Sequence, residues 1–391
     1  MNQKNSGYVF LSNSTKPSQE ENSSRDKIKL SNVSRPCLKA ALNLGYDVFF
    51  GVNRANPEEL DCELPVHLYD SHTYRSIMAL RDNLKAFRNL SDIVEKNNIK
   101  VIHCNTPVGG MIGRLIGKKY HIEKVIYTAH GFHFYKGAPL LNNTVFKRAE
   151  EIMAHWTDVI ITMNQEDYDA AQQFRLKSGG KVYKVHGVGI NCKDYEEINL
   201  DKKIIKKNLG LEEDDFICIA SGDLIKRKNY EIAIKAIAKL HNPHIHYLVC
   251  GKGPNSENLK SIAKSEGIEN QIHFLGFRTD MKELLAISDC FFFASLQEGL
   301  PRSVMEAMAS GLPVACSKIR GNVDLIDDGK GGFLFKADSV EDAAEALLKL
   351  MESDYQMMGR YNRKKIYDFD ISVVEREINN IYSKELDMLC K

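Results

Sequence analysis

The 391-residue chain has no apolar run of about 18 residues, so nothing in it reads as a membrane-spanning helix. Its first residues, Met1-Asn2-Gln3-Lys4-Asn5-Ser6, lack the apolar core of a signal peptide. Net charge is almost nil: 53 Lys and Arg stand against 52 Asp and Glu. That argues against a nucleic-acid binder, which concentrates positive charge on one domain. Nine cysteines are scattered without a C-x-x-C pair. Cys104, Cys218, Cys250 and Cys316 fall in apolar runs, the pattern of reduced core thiols in a cytoplasmic protein. Clustered zinc ligands are missing. Asp327-Asp328 precedes Gly329 and reads as a surface turn, so no metal is expected.

What the chain does have is alternation. Short apolar runs alternate with helical patterns from end to end, the signature of α/β units with parallel sheets. In the first half the runs extend from Tyr8–Leu11 to Val182–Val185, with helices including Ser31–Leu44 and Tyr74–Asn97. In the second half they extend from Phe216–Ser221 to Gly332–Phe335. The length favours two domains. The expected fold class is α/β with two Rossmann-like doubly wound domains, over 1–195 and 200–370, and a ligand cleft between their carboxyl-edge loops. The charged stretch Asp194–Lys207 is the linker candidate. The amphipathic end, about 371–391, would pack back on the first domain.

The densest signal is Glu298-Gly299-Leu300-Pro301-Arg302-Ser303-Val304-Met305-Glu306. An apolar strand precedes it, Pro301 suits the first helical position, and Gly311 stops the helix. The first N–H groups of a helix lack intrahelical partners, so the amides of Gly299, Leu300 and Arg302 would surround an anion site. Glu298 lies on the loop and Glu306 on the helix, roughly 7–8 Å further along the axis. A ligand with a central phosphate and hydroxyls at both ends fits, and a nucleotide-sugar is such a ligand. The competing reading, two solvated helix-end charges, suits isolated glutamates but not this strand, Gly and Pro punctuation.

Other strand-end loops carry chemistry. Gly222-Asp223-Leu224-Ile225-Lys226-Arg227-Lys228 puts three cations where a diphosphate would sit, with Lys228 the first choice. Cys250-Gly251-Lys252-Gly253 would bring backbone close to a ligand, and a plain turn is an equal reading. Phe277-Arg278 after Gly276 would hold a flat base, and a packed turn is an equal reading. His130 and His133 end a strand of the first half, and His130 would hydrogen-bond a sugar hydroxyl or steady developing charge. Asn105 ends another strand, in a loop that reads chiefly as turn chemistry. Asn13 and Ser14 open a long polar loop, Asn13–Ser31, which would close over an acceptor or stay disordered.

In order along the chain, Gly222…Lys228, Gly251-Lys252-Gly253-Pro254, Phe274-Leu275-Gly276, Ser295…Glu298-Gly299-Leu300-Pro301 and Glu306…Gly311-Leu312-Pro313-Val314 resemble the second domain of the family 4 retaining glycosyltransferases. Ala129-His130-Gly131-Phe132-His133 and Gly187-Val188-Gly189-Ile190 are similar to the branch that builds capsular and other exported polysaccharides. The resemblance implies a GT-B fold and no cofactor. It implies that Lys228, with Arg227, holds the donor diphosphate and that Glu306 accepts from the ribose. Glu298, Gly299 and Leu300 would meet sugar or phosphate oxygens, Gly222 and Gly253 would line the donor site, and Phe277 and Arg278 would flank the base. His130 would lie near the reacting carbon, with Asn13, Ser14, Asn105 and His133 on the acceptor side. Two departures stand out: Asp223 replaces a common Arg, and Ser12-Asn13-Ser14 replaces a common Gly-Gly.

The resemblance further implies front-face transfer from a nucleotide-sugar, UDP-linked, to a glycan or a polyprenyl-diphosphate-linked sugar. Strand-ending D-x-D pairs of metal-dependent sugar transfer are missing. The runner-up is a nucleotide-sugar 2-epimerase, which would convert the donor without an acceptor; a non-catalytic sensor is a third reading. By analogy with lipid-linked assembly, peripheral membrane contact through Lys202-Lys203 with Lys206-Lys207, or through Arg363-Lys364-Lys365, is a further expectation, set against ordinary solvated helix faces.

Overall fold

Residues 6–196 and 200–386 are described by a computed structural model. The chain divides into two compact units, Met1–Gly189 with Ile371–Lys391, and Ile190–Asp370.

The first unit is built on a seven-stranded parallel sheet. Its strands are β1 Gly7–Leu11, β2 Asp47–Val52, β3 His67–Asp70, β4 Ile99–Asn105, β5 Lys124–Ala129, β6 Val159–Thr162 and β7 Lys181–Lys184. They lie in the order β3-β2-β1-β4-β5-β6-β7. The second unit holds six parallel strands: β8 Phe216–Ser221, β9 Ile245–Cys250, β10 Ile272–Gly276, β11 Cys290–Phe293, β12 Val314–Ser317 and β13 Gly332–Phe335. Their order is β10-β9-β8-β11-β12-β13. In each sheet the chain reverses its direction of winding once, between β1 and β4 and between β8 and β11. Ligands of doubly wound sheets bind outside the carboxyl ends at such a switch point.

Helices cover both faces, so central strands read as unbroken apolar runs. Tyr8 to Leu11 and Phe291 to Phe293 are fully buried. The edge strand β3 has no such run, which is why the sequence reading missed it: only Tyr69 of its four residues is buried. In the helix Pro107–Lys119, Gly110, Gly113 and Gly117 face the sheet. A Cβ on Gly113 would lie 2.5 Å from that of Cys104, so the glycines set the close helix–sheet spacing.

Three expectations need correction. The helix anticipated from Tyr74 begins at Leu80. Tyr74 instead bridges to Ser14, and the Asn83 amide donates to the carbonyls of Ser76 and Ile77, closing a turn before the helix. The polar loop after β1 has structure of its own: a helix Gln19–Ser23 with a Ser18–Glu21 capping box, tied across by Asn22 accepting from the Ala55 amide at 2.8 Å. The charged linker candidate contains a helix, Lys202–Asn208, capped by Asp201 and packed on Met281–Ile287. The chain passes between units at Gly189–Ile190 and Asp370–Ile371.

The last helix, Ile371–Leu386, packs on Arg35–Asn43 of the first unit. Glu385 receives bonds from Tyr183 at 2.7 Å, Lys181 at 2.9 Å and Lys124 at 3.3 Å. Burial would raise its carboxyl pKa, but these donors outweigh burial and hold it below the ordinary value. The eight cysteines among the described residues are free thiols.

Candidate active site

The switch point of the second sheet lies between the loop after β8 and the loop after β11, and the strongest sequence candidates meet there. Ile225 is the last extended residue of the first loop, and Lys226–Lys228 form one 3₁₀ turn closed by Asn229 in the left-handed region. The Asn229 amide donates to the carbonyls of Ala294 and Ala337, which pins the turn against the second loop. Lys228 thereby donates to Glu298 Oε1 at 2.8 Å, and Arg227 reaches the same oxygen at 3.2 Å. Ser295 Oγ donates to it at 2.7 Å. The Lys228 and Glu298 side chains are only 13% and 10% exposed, while the Arg227 side chain is 41% exposed. Glu298 is therefore an organising anion rather than a solvated loop charge. The Lys228 ammonium also lies 5.0 Å from the Phe293 ring centroid.

The helix that follows runs from Arg302 to Ala309, with Pro301 as its extended cap residue rather than its first turn. Leu300 lies between Glu298 and that cap. Buried Arg320 donates to the Glu298 carbonyl at 3.0 Å, and Gly321 must be glycine because a Cβ would lie 2.4 Å from the Gly299 carbonyl oxygen. Glu306, on the second turn, accepts from Arg302 at 3.0 Å. Tyr195 lies beside it: burial, then the Glu306 charge, pushes the phenol well above its ordinary range.

The strand-end glycines turn out to serve the loops themselves. A Cβ on Gly253 would lie 2.4 Å from the Leu224 carbonyl oxygen, and one on Gly251 would lie 1.9 Å from that of Gly222. Gly222 also leaves room for Lys228, whose Cε would be 3.3 Å from an added Cβ. Past β10, Phe277 is 73% exposed. Arg278 is not open in the same way: it grips Asp280 as a fork, with Nε to Oδ1 at 2.7 Å. That hydrogen bond raises the Arg278 pKa and lowers that of Asp280.

The first unit carries a neutral counterpart at its own switch point. There the backbone N–H of Asn13 donates to Thr106 Oγ1 at 3.0 Å, joining the end of β1 to the end of β4. Thr106 has φ 64 and ψ 166, a strained conformation for a non-glycine residue, costing about 1–3 kcal/mol. Beside it, Asn105 Oδ1 pairs with His130 Nε2 at 3.0 Å. Burial lowers the His130 pKa to about 4, so the ring is neutral. Asn105 Nδ2 is buried with no partner among the described residues. Asn105, Thr128 and His130 border a narrow cavity of about 20 Å³, room for one water. Behind them lies His103, its Nε2 2.8 Å from Thr128 Oγ1 and its Nδ1 2.5 Å from the Tyr382 hydroxyl. Burial, then His130, lowers the His103 pKa to about 3.

The remaining acceptor-side candidates do not join this group. Ser14 Oγ accepts from Asn53 at 2.7 Å and donates to the Thr15 carbonyl, so its hydroxyl serves the loop. His133 is exposed, its carbonyl accepts from Asn142 at 2.6 Å, and its ring packs 5.6 Å from that of Phe146. Among the described residues, no group of three or more His, Cys, Asp or Glu could hold a metal ion.

Known proteins share this plan. The sequence model for glycosyl transferases group 1 matches residues 201–365, and that for glycosyltransferase family 4 matches residues 37–186. A putative glycosyltransferase, EpsD of Bacillus subtilis (strain 168), is 33% identical over 78% of this chain and 82% of its own. The chain belongs to glycosyltransferase family 4. An Escherichia coli UDP-Gal:alpha-D-GlcNAc-diphosphoundecaprenol alpha-1,3-galactosyltransferase is 25% identical, covering 81% of this chain and 82% of its own. The crystal structure of Anabaena Alr3699/HepE in complex with UDP-glucose superposes with a TM-score of 0.74 at 18% identity, over 97% of this chain and 99% of that one. The family 4 transferase thus has the two-domain GT-B fold and is a group 1 enzyme related to glycosyltransferases of bacterial polysaccharide biosynthesis.

Several residues that organise the family 4 transferase's site were given no role of their own from sequence. Ser295 had a usable signal, a hydroxyl just past a buried strand and three positions before Glu298. Arg320, Tyr195, His103 and Thr106 had none, because each acts on a residue distant along the chain or through backbone conformation.

Proposed function

We propose that this enzyme is a retaining glycosyltransferase. On this reading it moves a hexose or N-acetylhexosamine from a UDP-sugar to a glycan or lipid-linked saccharide in bacterial surface polysaccharide biosynthesis. The observation that carries the reading is the set of three donors on Glu298 Oε1, at the switch point and beside the start of the helix Arg302–Ala309. An ammonium held by a carboxylate and an aromatic face keeps further N–H donors to offer. Lys228 and the more exposed Arg227 would neutralise the donor diphosphate, with the amides before Arg302 completing an anion site. Glu306, oriented by Arg302, would take the ribose hydroxyls. Phe277 would stack on the base, while Arg278, locked to Asp280, would shape the turn rather than carry charge to the nucleotide. That is a smaller part than the base contact expected of it.

The chemistry follows from charge. Cleavage of the sugar C1–oxygen bond leaves an oxocarbenium-like sugar and a UDP anion. The acceptor hydroxyl bonds to C1 on the face the UDP leaves, and its proton passes to the departing phosphate oxygen. Lys228, Arg227 and the helix amides would supply the leaving-group stabilisation, so the mechanism needs no metal. Neutral His130, oriented by Asn105, would hydrogen-bond a hydroxyl of the transferred sugar. The HepE complex and the name of the E. coli relative support a uridine donor, and the same name supports a diphosphate-linked lipid acceptor.

A panel of nucleotide-sugars in thermal melts tests this. A UDP-sugar should raise the melting temperature in proportion to the logarithm of its concentration, because it binds only the folded state. No shift with any UDP-sugar, alongside a clear shift with a purine-linked donor, would overturn the uridine assignment.

A further inference from the structure

The carboxylate proposed to take the ribose has a partner that no motif marks. Just past Ile190 the chain makes a 3₁₀ turn, Cys192–Tyr195. Hydrogen bonds hold that turn at its start and along its length. The backbone N–H of Cys192 donates to Asp370 Oδ2 at 3.1 Å, and Asn191 Nδ2 donates to Asp194 Oδ1 at 2.6 Å. The turn packs on the helix Arg302–Ala309. Tyr195, its last residue, packs its ring against the second unit's hydrophobic core. Lys282 covers the ring with its ammonium 5.5 Å from the centroid and lies 3.7 Å from Asp194. The ring is fixed from several sides, and its hydroxyl is hydrogen-bonded to the Glu306 carboxylate.

Arg302 also donates to Glu306, Nε to Oε1 at 3.0 Å. The Arg302 side chain is 58% exposed, while that of Glu306 is only 18% exposed. An exposed pair one helical turn apart orients its partner weakly, because a long arginine loses much rotamer freedom to do so. A packed phenol has already lost that freedom, so its hydroxyl sets the direction of the carboxylate. A carboxylate offers about four lone-pair sites. Arg302 and Tyr195 fill one each, and the remaining capacity matches the two hydroxyls of a vicinal diol. A 2′-deoxyribose brings only one hydroxyl and leaves an acceptor unmet on a mostly buried charge, where the loss is large. Phenylalanine at position 195 would keep the packing of the ring and remove only the hydrogen bond.

We infer that Tyr195 is a positioning residue: by fixing Glu306 towards a vicinal diol, it makes the enzyme select ribonucleotide donors over 2′-deoxyribonucleotide donors. The inference rests on the reading of Glu306 as the ribose ligand, and its test lets the two fail separately. Binding of UDP and dUDP to the full chain is measured by titration calorimetry, with ADP and GDP beside their 2′-deoxy forms. The parent should favour UDP over dUDP by about tenfold or more, as loss of a hydrogen bond to a charged group predicts. Tyr195→Phe should narrow that preference to about threefold or less, mainly by weakening UDP. Glu306→Gln should narrow it too, and adding Tyr195→Phe should then change little, because residues that act as one unit are not additive. In steady-state transfer, Tyr195→Phe should raise the donor KM about three- to tenfold with kcat nearly unchanged. An unchanged ratio of UDP to dUDP affinity in Tyr195→Phe, or an equal loss of both, overturns the inference and leaves the uridine reading standing. So does a Tyr195→Phe effect on UDP that is the same with and without Glu306→Gln. A ratio that narrows for a purine pair, with no binding of UDP, upholds the inference and overturns the uridine reading. No binding of any of these nucleotides overturns both.

Discussion

The two switch points solve the same topological problem with opposite electrostatics. In the second unit, the loops after β8 and β11 converge on a charged trio of Lys228, Arg227 and Glu298. In the first, the loops after β1, β4 and β5 converge on neutral groups: Asn105, Thr106, His130 and, behind them, His103. The difference teaches how work is divided across one chain. On the proposed function, a leaving diphosphate would need fixed positive charge, and Glu298 would keep that charge in place. A sugar hydroxyl needs directional hydrogen bonds, which neutral imidazole and amide groups supply without attracting phosphate.

The sharpest way to break that comparison is to remove the charge. Lys228→Ala should lower transfer by about 10²–10³-fold, the usual size of losing one preorganised electrostatic donor, read as initial rate at saturating donor. An undiminished rate would mean that the trio is only structural.

A smaller effect appears in acid. Burial holds His103 at about 3 and His130 at about 4, against an ordinary 6.5. Their folded pKa values are depressed, so the stability they contribute is fully present above pH 6.5. It is lost as pH falls from 6.5 towards 4 and 3, where the unfolded chain takes up protons that the folded unit resists. His246 and His273 in the second unit are shifted the same way by burial, so the informative quantity is a difference between proteins. A His103→Asn variant should show a flatter fall of melting temperature between pH 6.5 and 4 than the parent. Equal slopes would remove His103 from the account.

The smallest expected change is at the exposed ring. Phe277→Ala should raise the donor's apparent KM about three- to tenfold with kcat nearly unchanged, as loss of one base-stacking contact would. A fall in kcat instead would place Phe277 nearer the reacting atoms than its position after β10 suggests.

Legibility in the sequence varied with how local the cause was. Lys228, Glu298 and Glu306 announced themselves because strand, turn residues and charge lie within a few positions of one another. The fold was legible for the same reason: buried parallel strands are continuous apolar words, and the runs Phe216–Ser221 and Gly332–Phe335 are strands with the same ends. Edge strand β3 was not legible, because an edge has only one neighbour and needs few apolar residues. Helix Lys202–Asn208 was masked by its charge. Gly251 and Gly253 looked like ligand contacts, yet their close neighbours are carbonyls of the adjacent loop, which no single stretch of sequence displays.

By itself the sequence determined the alternation of strands and helices, the family and the residue types available at each strand end. Those follow from periodicity and from short motifs whose geometry is local. Tertiary structure alone decided which of these residues meet. Lys228 and Glu298 are 70 positions apart and Asn105 and His130 are 25 apart, and each pair exists because neighbouring parallel strands deliver their loops to one edge. It also decided protonation: burial, a property of packing rather than of any motif, is what keeps His130 neutral.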